Sequence, residues 1–599
     1  MNTHLRTLRL LSPAVAILAM LGCDVPDGNG DSNGNGNGDD DVEMVGDCVL
    51  VQMGSAGGAW SGCYVVDGWV RVVGDLSIEA GTEVSFREGA GLELSAGFVV
   101  NGTEDEPVLF NGTEAGAGHW RGLRVRGDSN SNTLTHAIIS GAGSEPIVSG
   151  DAAAALWIDG RLSIEDTTIE ETDGVGLVSL GGLRGLSGTT ITGNAWAASV
   201  DFDSVSELGG DNSFAGNEDD VVYIIDGRSG DEVTIPKIDA IYEAGELEAR
   251  ADLTIEAGVE IAFLERGRLE ITEGVFRVEG TQDDPVVFRG VEASPGWWDG
   301  LSVRTDRSNN RIDWLELSHA GRDNIGSWTE PAGLIVGAAG SGNVATISVH
   351  NSSFFDNDGY GLYIYAESLA STTLLGFSNN HFEGNTGPAA KIAPAHMNAV
   401  EGSNSATGNG MDVIEVADGR YESNSTWRNM GIPWFIAETV SIEDGTTTIE
   451  PGTEIRFFDG ANLRVRGARL LAEGTPTEHI LMVGSEPQAG WWVGVQVARS
   501  SGGNSVFSHV EVRHAGKSAQ HNWLDPAGIT VGAPASADAA DVLVNDCIIS
   551  DIGVPTESTA YGIQVCTSTS SPNCSGSTIN PDVCTANTFS NINGANCDI

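Results

Sequence analysis

Three stretches of this chain are copies of one another, and that constrains the fold more than any other feature. DLSIEAGTEVSF (75–86), DLTIEAGVEIAF (252–263) and TTTIEPGTEIRF (446–457) align residue by residue. Each leads into a Gly-Thr turn: NGTEDEPVLF, EGTQDDPVVF and EGTPTEHILM. GHWRGLRV, GWWDGLSV and GWWVGVQV follow, then SGAG (140–143), SHAG (318–321) and RHAG (513–516). The second and third copies also share a lead-in, GNEDDVVYIIDGR (216–228) and GNGMDVIEVADGR (408–420). Corresponding motifs lie 177 to 195 residues apart. Self-similarity at a fixed period points to stacked units that bury a shared core, and so to growth along one axis.

Inside each copy a shorter beat recurs every dozen or so residues. Pieces rich in Val, Ile, Leu and Phe, such as VEIAF, PVVFRG and LELSHAG, are separated by Gly, Asn, Asp or Pro. The 80 glycines and the absence of a 3.6-residue apolar period disfavour helix and favour short strands. A second motif separates a coil from a sandwich. Phe214-x-x-Asn217, Phe354-x-x-Asn357 and Phe382-x-x-Asn385 each precede a small residue and a fresh apolar run, and Ile191-x-x-Asn194 repeats the theme. Asn tolerates the left-handed backbone of a tight bend. Stacked coils place Asn over Asn, where the amides form a ladder. The expected fold class is all-β, a right-handed parallel β-helix (a solenoid) built from large internal repeats. With about 22 residues per coil and about 4.8 Å between coils, the chain beyond residue 45 makes a rod of order 120 Å.

At these residues the chain resembles the bacterial right-handed parallel β-helix repeat surface proteins of the pectin-lyase-like superfamily. The resemblance runs from about residue 45 to the end. It implies the fold but no single activity, because that superfamily holds polysaccharide lyases, hydrolases, adhesins and members without known activity.

The N-terminus reads as an export signal. Arg6 and Arg9 precede an apolar stretch, Leu10 to Leu21, too short and interrupted for a good membrane span. Met20-Leu21-Gly22-Cys23 resembles the lipobox of bacterial lipoproteins, which implies cleavage before Cys23 and lipidation of its thiol. The organisation expected is a signal peptide (1–22), an acidic Gly/Asn/Asp tether (23–44), and repeat units at 45–218, 219–410 and 411–599, the last with a Cys-rich end. The expected location is the cell envelope, at the outer membrane or cell surface, with membrane contact only through the lipid. Eight cysteines suit an oxidising compartment. Cys48 and Cys63 are close and isolated, which makes a local disulfide the simplest pairing. Five more cysteines crowd the last stretch, an odd number that leaves one free.

A formal charge of -54, from 84 acids against 30 Lys and Arg, excludes nucleic acid, whose binders need cations to displace phosphate counterions. It is compatible with bound Ca²⁺. No catalytic triad, P-loop or HExxH motif occurs. Acids in the Gly-Thr turns read as solvated caps, and Arg126, Arg304 and Arg499 as outward salt-bridge partners. The carbohydrate-binding candidates follow the HAG motifs: Trp328, Glu330, Trp523 and Asp525, with His319 and His514 opening the loops. Aromatic faces stack on sugar C–H surfaces, and acids accept hydroxyl hydrogen bonds. The same tryptophans also suit a purely covering role over the core edge. Three readings follow: a non-catalytic binder of extracellular polysaccharide or cell-surface components, a polysaccharide lyase or glycoside hydrolase, and a structural envelope protein. The first is preferred.

Overall fold

Alternation within each short strand sends one set of side chains inward. In Leu76–Glu79 the buried residues are Leu76 and Ile78; in Glu83–Phe86 they are Val84 and Phe86. The computed structural model describes residues 43–52, 57–326, 329–340, 343–365, 372–521, 524–534, 539–555, 559–567 and 576–599. Among these, Met44–Val45 pairs antiparallel with Cys48–Val51, and the strands of the repeats pair in parallel. The chain is an all-β parallel β-helix.

Each coil of the first copy places one strand on each of three faces. One face carries Glu83–Phe86, Val108–Gly112, Ala137–Ser140, Thr168–Glu170 and Thr190–Thr192. A second carries Gly91–Leu94, Gly122–Val125, Ala154–Ile158 and Val175–Ser179. A third carries Leu76–Glu79, Phe98–Asn101, Thr133–Thr135 and Leu162–Glu165. Registers stack like on like. Val84, Phe110, Ile139, Ile169 and Ile191 form one inward column on successive coils, each fully buried. Burying one such side chain contributes about 1.5–3 kcal/mol, so these columns are the main source of cohesion.

The step between coils ranges from 15 residues, Val51 to Val66, to 40, Ile549 to Phe589. The steps above 22 arise where loops leave the coil. Three such loops fold back over the outside of the helix. Beneath the first, Ile147 packs with Trp157 and Val178; beneath the second, Ile325 packs with Ile335 and Tyr363; beneath the third, Leu524 packs with Cys566.

The copies do not stack face on matching face. Leu92 lies in an inward column running through Leu123, Leu156, Leu177, Ala198, Val222 and Tyr242 to Ile261. By alignment Ile261 matches Val84, which occupies a different face of the first copy. Leu269, the counterpart of Leu92, lies in a column that runs on through Trp434 to Ile455, and Ile455 again matches Val84. Each copy is therefore displaced by one face from the copy before it.

The asparagine ladders are present. Asn194 Nδ2 donates to Asn217 Oδ1 at 3.0 Å, Asn357 to Asn385 at 2.9 Å and Asn385 to Asn409 at 2.7 Å. A further ladder, Asn380 to Asn404 at 3.1 Å, starts from Phe377-x-x-Asn380, which has the same spacing. Cys48 and Cys63 are bonded across neighbouring coils, Cys584 is bonded to Cys597, and among the described residues Cys547 is a free buried thiol, pushed up to about 12 chiefly by burial. Cys23 lies outside the described residues.

Candidate functional site

The Gly-Trp-Trp motifs divide into a packing ring and a surface ring. Trp298 and Trp492 are fully buried, as is Trp120 at the same place in the first copy. They stack on Phe263, Phe457 and Phe86 with centroids 4.1, 3.8 and 4.0 Å apart and planes within 6°. Each indole N–H donates to a backbone carbonyl, of Ser318, Arg513 and Ser140 respectively, at 2.7–2.8 Å. These rings hold the fold. The preceding residues, His119, Trp297 and Trp491, are only half-buried.

The HAG histidines are turn residues. His319 and His514 both have φ 64°, and Gly141 takes φ 78° in the first copy, where no side chain is required. Their carbonyls accept the N–H of Trp297 and Trp491 at 2.8 and 2.7 Å. Burial pushes both imidazoles below the usual histidine range. Trp328 and Trp523 lie outside the described residues. Glu330 is ion-paired with Lys391 at 2.6 Å, and Lys391 also reaches Glu415 at 2.9 Å. Asp525 is half-buried, and its backbone N–H donates to Gln564. His319 and Glu330 belong to one copy and His514 and Asp525 to the next, so the candidates do not converge on one shared site.

The acid-rich turns are caps. Glu106, Asp284 and Glu478 each donate a backbone N–H to the threonine hydroxyl three residues earlier, at 3.0–3.1 Å. Arg126 pairs with Glu93 at 3.3 Å and Arg304 pairs with Glu270. Arg499 departs from this pattern: it is exposed and has no acidic partner among the described residues. Among those residues no group of three His, Cys, Asp or Glu side chains is placed to hold a metal.

A groove of about 650 Å³ on the third copy combines apolar, acidic and basic chemistry. It is lined by Met411, Glu415, Phe435, Arg456, Phe458, Glu486 and Trp491, among others. Consecutive strands put Glu415, Phe435 and Arg456 side by side on the outward face, Glu415 and Phe435 buried under their neighbours and Arg456 half-buried. Phe458, at the corner where that face ends, is 50% exposed, and Met411 is 40% exposed. Phe458 lies 6.0 Å from Phe435 and meets Trp491 edge-on at 6.4 Å. Trp491 is tied by its N–H to Ser485 at 3.0 Å, and Arg456 is held by Glu454 at 2.6 Å. At one end, burial of Asp412 opposes its ionisation, but N–H donors from Asn409 and Gly408 prevail and hold its carboxyl below the usual range.

Along one wall, Glu415 anchors a buried polar cluster. It accepts the Tyr360 hydroxyl at 2.9 Å and the Lys391 ammonium, which sits over the Tyr360 and Tyr363 rings at 5.6 and 5.7 Å. Burial alone would lower the lysine's pKa; the bonds and charges of Glu330 and Glu415 reverse this and leave it raised. Burial, then the Glu415 charge, push the Tyr360 phenol far up, so it stays protonated and donates to Glu415.

The groove is specific to one copy. In the second copy Met411, Phe435, Arg456 and Phe458 are replaced by Asp219, Glu243, Ala262 and Leu264. The sequence carried this signal in the double Phe of EIRFFDG, against EVSFREG and EIAFLERG, but only the strand registers bring the four positions together. No protein-family model matches the chain, and no curated protein is significantly similar to it.

Proposed function

We propose that this chain is a secreted, lipid-anchored protein of the bacterial cell envelope, related to the right-handed pectin-lyase-like β-helices, that binds extracellular polysaccharide without chemical turnover. The observation that carries the binding is the half-open aromatic groove. Exposed Phe458 and Met411 line one groove with Trp491, beside Glu486 and Arg456, and a grouped apolar patch rimmed by charge marks an interaction site. Sugars present C–H faces to aromatic rings and hydroxyls to charged groups, and Phe435, Phe458 and Trp491 beside Glu415, Glu486 and Arg456 supply both. The groove lies across successive coils, which suits a polymer better than a free monosaccharide. The lipid at Cys23 and the acidic tether would hold the β-helix away from the membrane.

The test is affinity electrophoresis of the full chain through gels containing neutral and acidic polysaccharides. Phe458→Ala should abolish retardation while leaving the melting temperature within about 1 °C, because half of that ring is already in water. Retardation that persists in the variant overturns the reading. Release of reducing ends or unsaturated products would replace binding with catalysis.

A further inference from the structure

The third copy differs from the other two on the face next to the groove, and the difference is one of charge. In the first copy one carboxylate gathers the arginines. Glu93, with a side chain 9% exposed, lies 3.2 Å from Arg71, 3.6 Å from Arg124 and 3.3 Å from Arg126. In the second copy Glu248 takes Arg228 at 2.6 Å and Arg250 at 2.8 Å, and Glu270 takes Arg268 at 2.7 Å and also Arg304. These acids occupy one outward row, because Arg228, Glu248, Glu270 and Ser302 face each other on consecutive strands. The matching row of the third copy reads Arg420, Ser441, Arg464 and Gln496. Serine replaces Glu248 and arginine replaces Glu270. Arg420, Arg464 and Arg499 are exposed and have no carboxylate partner among the described residues.

We infer that this arginine row is a second subsite that binds the oxyanions of an acidic polysaccharide, carboxylate or sulfate ester, running along the stack. The inference rests on the polysaccharide reading of the groove and specifies its ligand. Arg420 and Arg464 sit two strands apart, about 10 Å. The guanidinium fork pairs with a planar oxyanion in a bidentate manner. The chain's formal charge of -54 does not oppose this. At physiological salt, charges further off than about 8 Å are largely screened, so the local arginines decide the potential that a docked polymer meets. The row and the groove flank the same corner, since Glu454–Phe457 and Asn462–Glu473 are consecutive strands with Phe458 between them. One polymer can therefore touch both.

The experiment compares retention of the full chain by dextran, alginate and dextran sulfate. Wild type should be held more strongly by at least one of the two acidic polymers than by dextran, and 0.5 M NaCl should remove that excess. Alginate against dextran sulfate distinguishes carboxylate from sulfate. Arg464→Glu restores the acid of the other two copies and should weaken acidic binding at least tenfold, with dextran retention unchanged. Arg464→Gln, which removes the charge with less change of shape, should do the same in part and guards against a folding defect. Arg228→Ala, which removes a neutralised arginine of the second copy, should change nothing. Acidic retention equal to wild type in both Arg464 variants overturns the subsite and leaves the groove standing. Retention by acidic polymers that responds to Arg464→Glu but not to Phe458→Ala overturns the groove and leaves the arginine row.

Discussion

Removing one rung from the middle of an asparagine ladder should cost more than removing its last rung. Asn385 is 1% exposed and makes four bonds through its amide. Its Oδ1 accepts the backbone N–H of Asn357 at 3.1 Å and the side-chain amide at 2.9 Å. Its Nδ2 donates to Phe354 O at 3.0 Å and to Asn409 Oδ1 at 2.7 Å. Asn385→Ala strands the Asn357 N–H and the Phe354 carbonyl in a place water does not reach. The Asn357 Nδ2 keeps only its bond to Leu317 O at 3.3 Å, while its Oδ1 still accepts the Ala320 N–H. At about 1–3 kcal/mol for each buried group left unpaired, the expected loss is roughly 3–6 kcal/mol. Asn409 is half-buried at the exposed end of the ladder, where water replaces what is lost; Asn409→Ala should cost about 1–2 kcal/mol. Stacked repeats need not unfold in one step, so the readout is local: hydrogen exchange of peptides spanning residues 352–364. A central loss below about 1 kcal/mol, or equal losses at the two positions, refutes the view that these amides are obligatory partners of buried backbone.

Two further outcomes follow from buried charge. His396 is almost wholly buried; its Nε2 is 2.8 Å from Thr372 O and its Nδ1 is 3.4 Å from the Ala393 N–H, so the ring fits as a neutral Nε2–H tautomer. Burial lowers its pKa, partly offset by the Thr372 bond, so below about 6.5 the unfolded chain takes up a proton that the folded chain refuses. Stability should therefore fall as pH drops through 6.5, by up to about 1.4 kcal/mol per unit, until the folded ring itself titrates. Melting curves between pH 7.5 and 5 should be flatter for His396→Gln, and parallel curves would count against this. Lys391→Met should cost about 3–5 kcal/mol by leaving Glu415, with a side chain 11% exposed, without its cation. Adding Glu415→Gln should recover most of it, and a double variant no more stable than the single one would sink the account.

What could be read from the sequence was whatever repeats. Inward columns such as Val84–Phe110–Ile139 follow from alternation and turn spacing, and the ladders at Asn194, Asn357 and Asn385 follow from the Ile-x-x-Asn and Phe-x-x-Asn spacings. The HAG motif reports backbone geometry: a histidine or a glycine at the matching position satisfies one left-handed turn whose carbonyl accepts an N–H from the preceding coil. The groove was hidden because Met411, Phe435, Arg456 and Phe458 are spread over 48 residues, and only the coil register makes them neighbours. Arg464 was hidden for a different reason: within its own copy it resembles any surface arginine, and its meaning comes from the acid that the other two copies keep.

The one-face displacement between copies bears on why a single copy carries both features. If homologous strands stacked directly, three equivalent grooves would fall in line and a polymer could engage all of them, which would favour keeping them alike. Because Ile261 continues the face of Leu92, and Ile455 that of Leu269, equivalent surfaces point in different directions and no single linear ligand meets two of them along one face. Selection for binding then acts on each copy separately, while selection for packing acts on all three. The substitutions match that division. Phe86, Phe263 and Phe457, with the tryptophans stacked on them, are unchanged in kind, whereas the outward positions next to them are Arg87, Leu264 and Phe458. Aromatic exposure and unpaired arginine have therefore accumulated on two adjoining faces of one copy, which is where a polymer lying along that corner would encounter both.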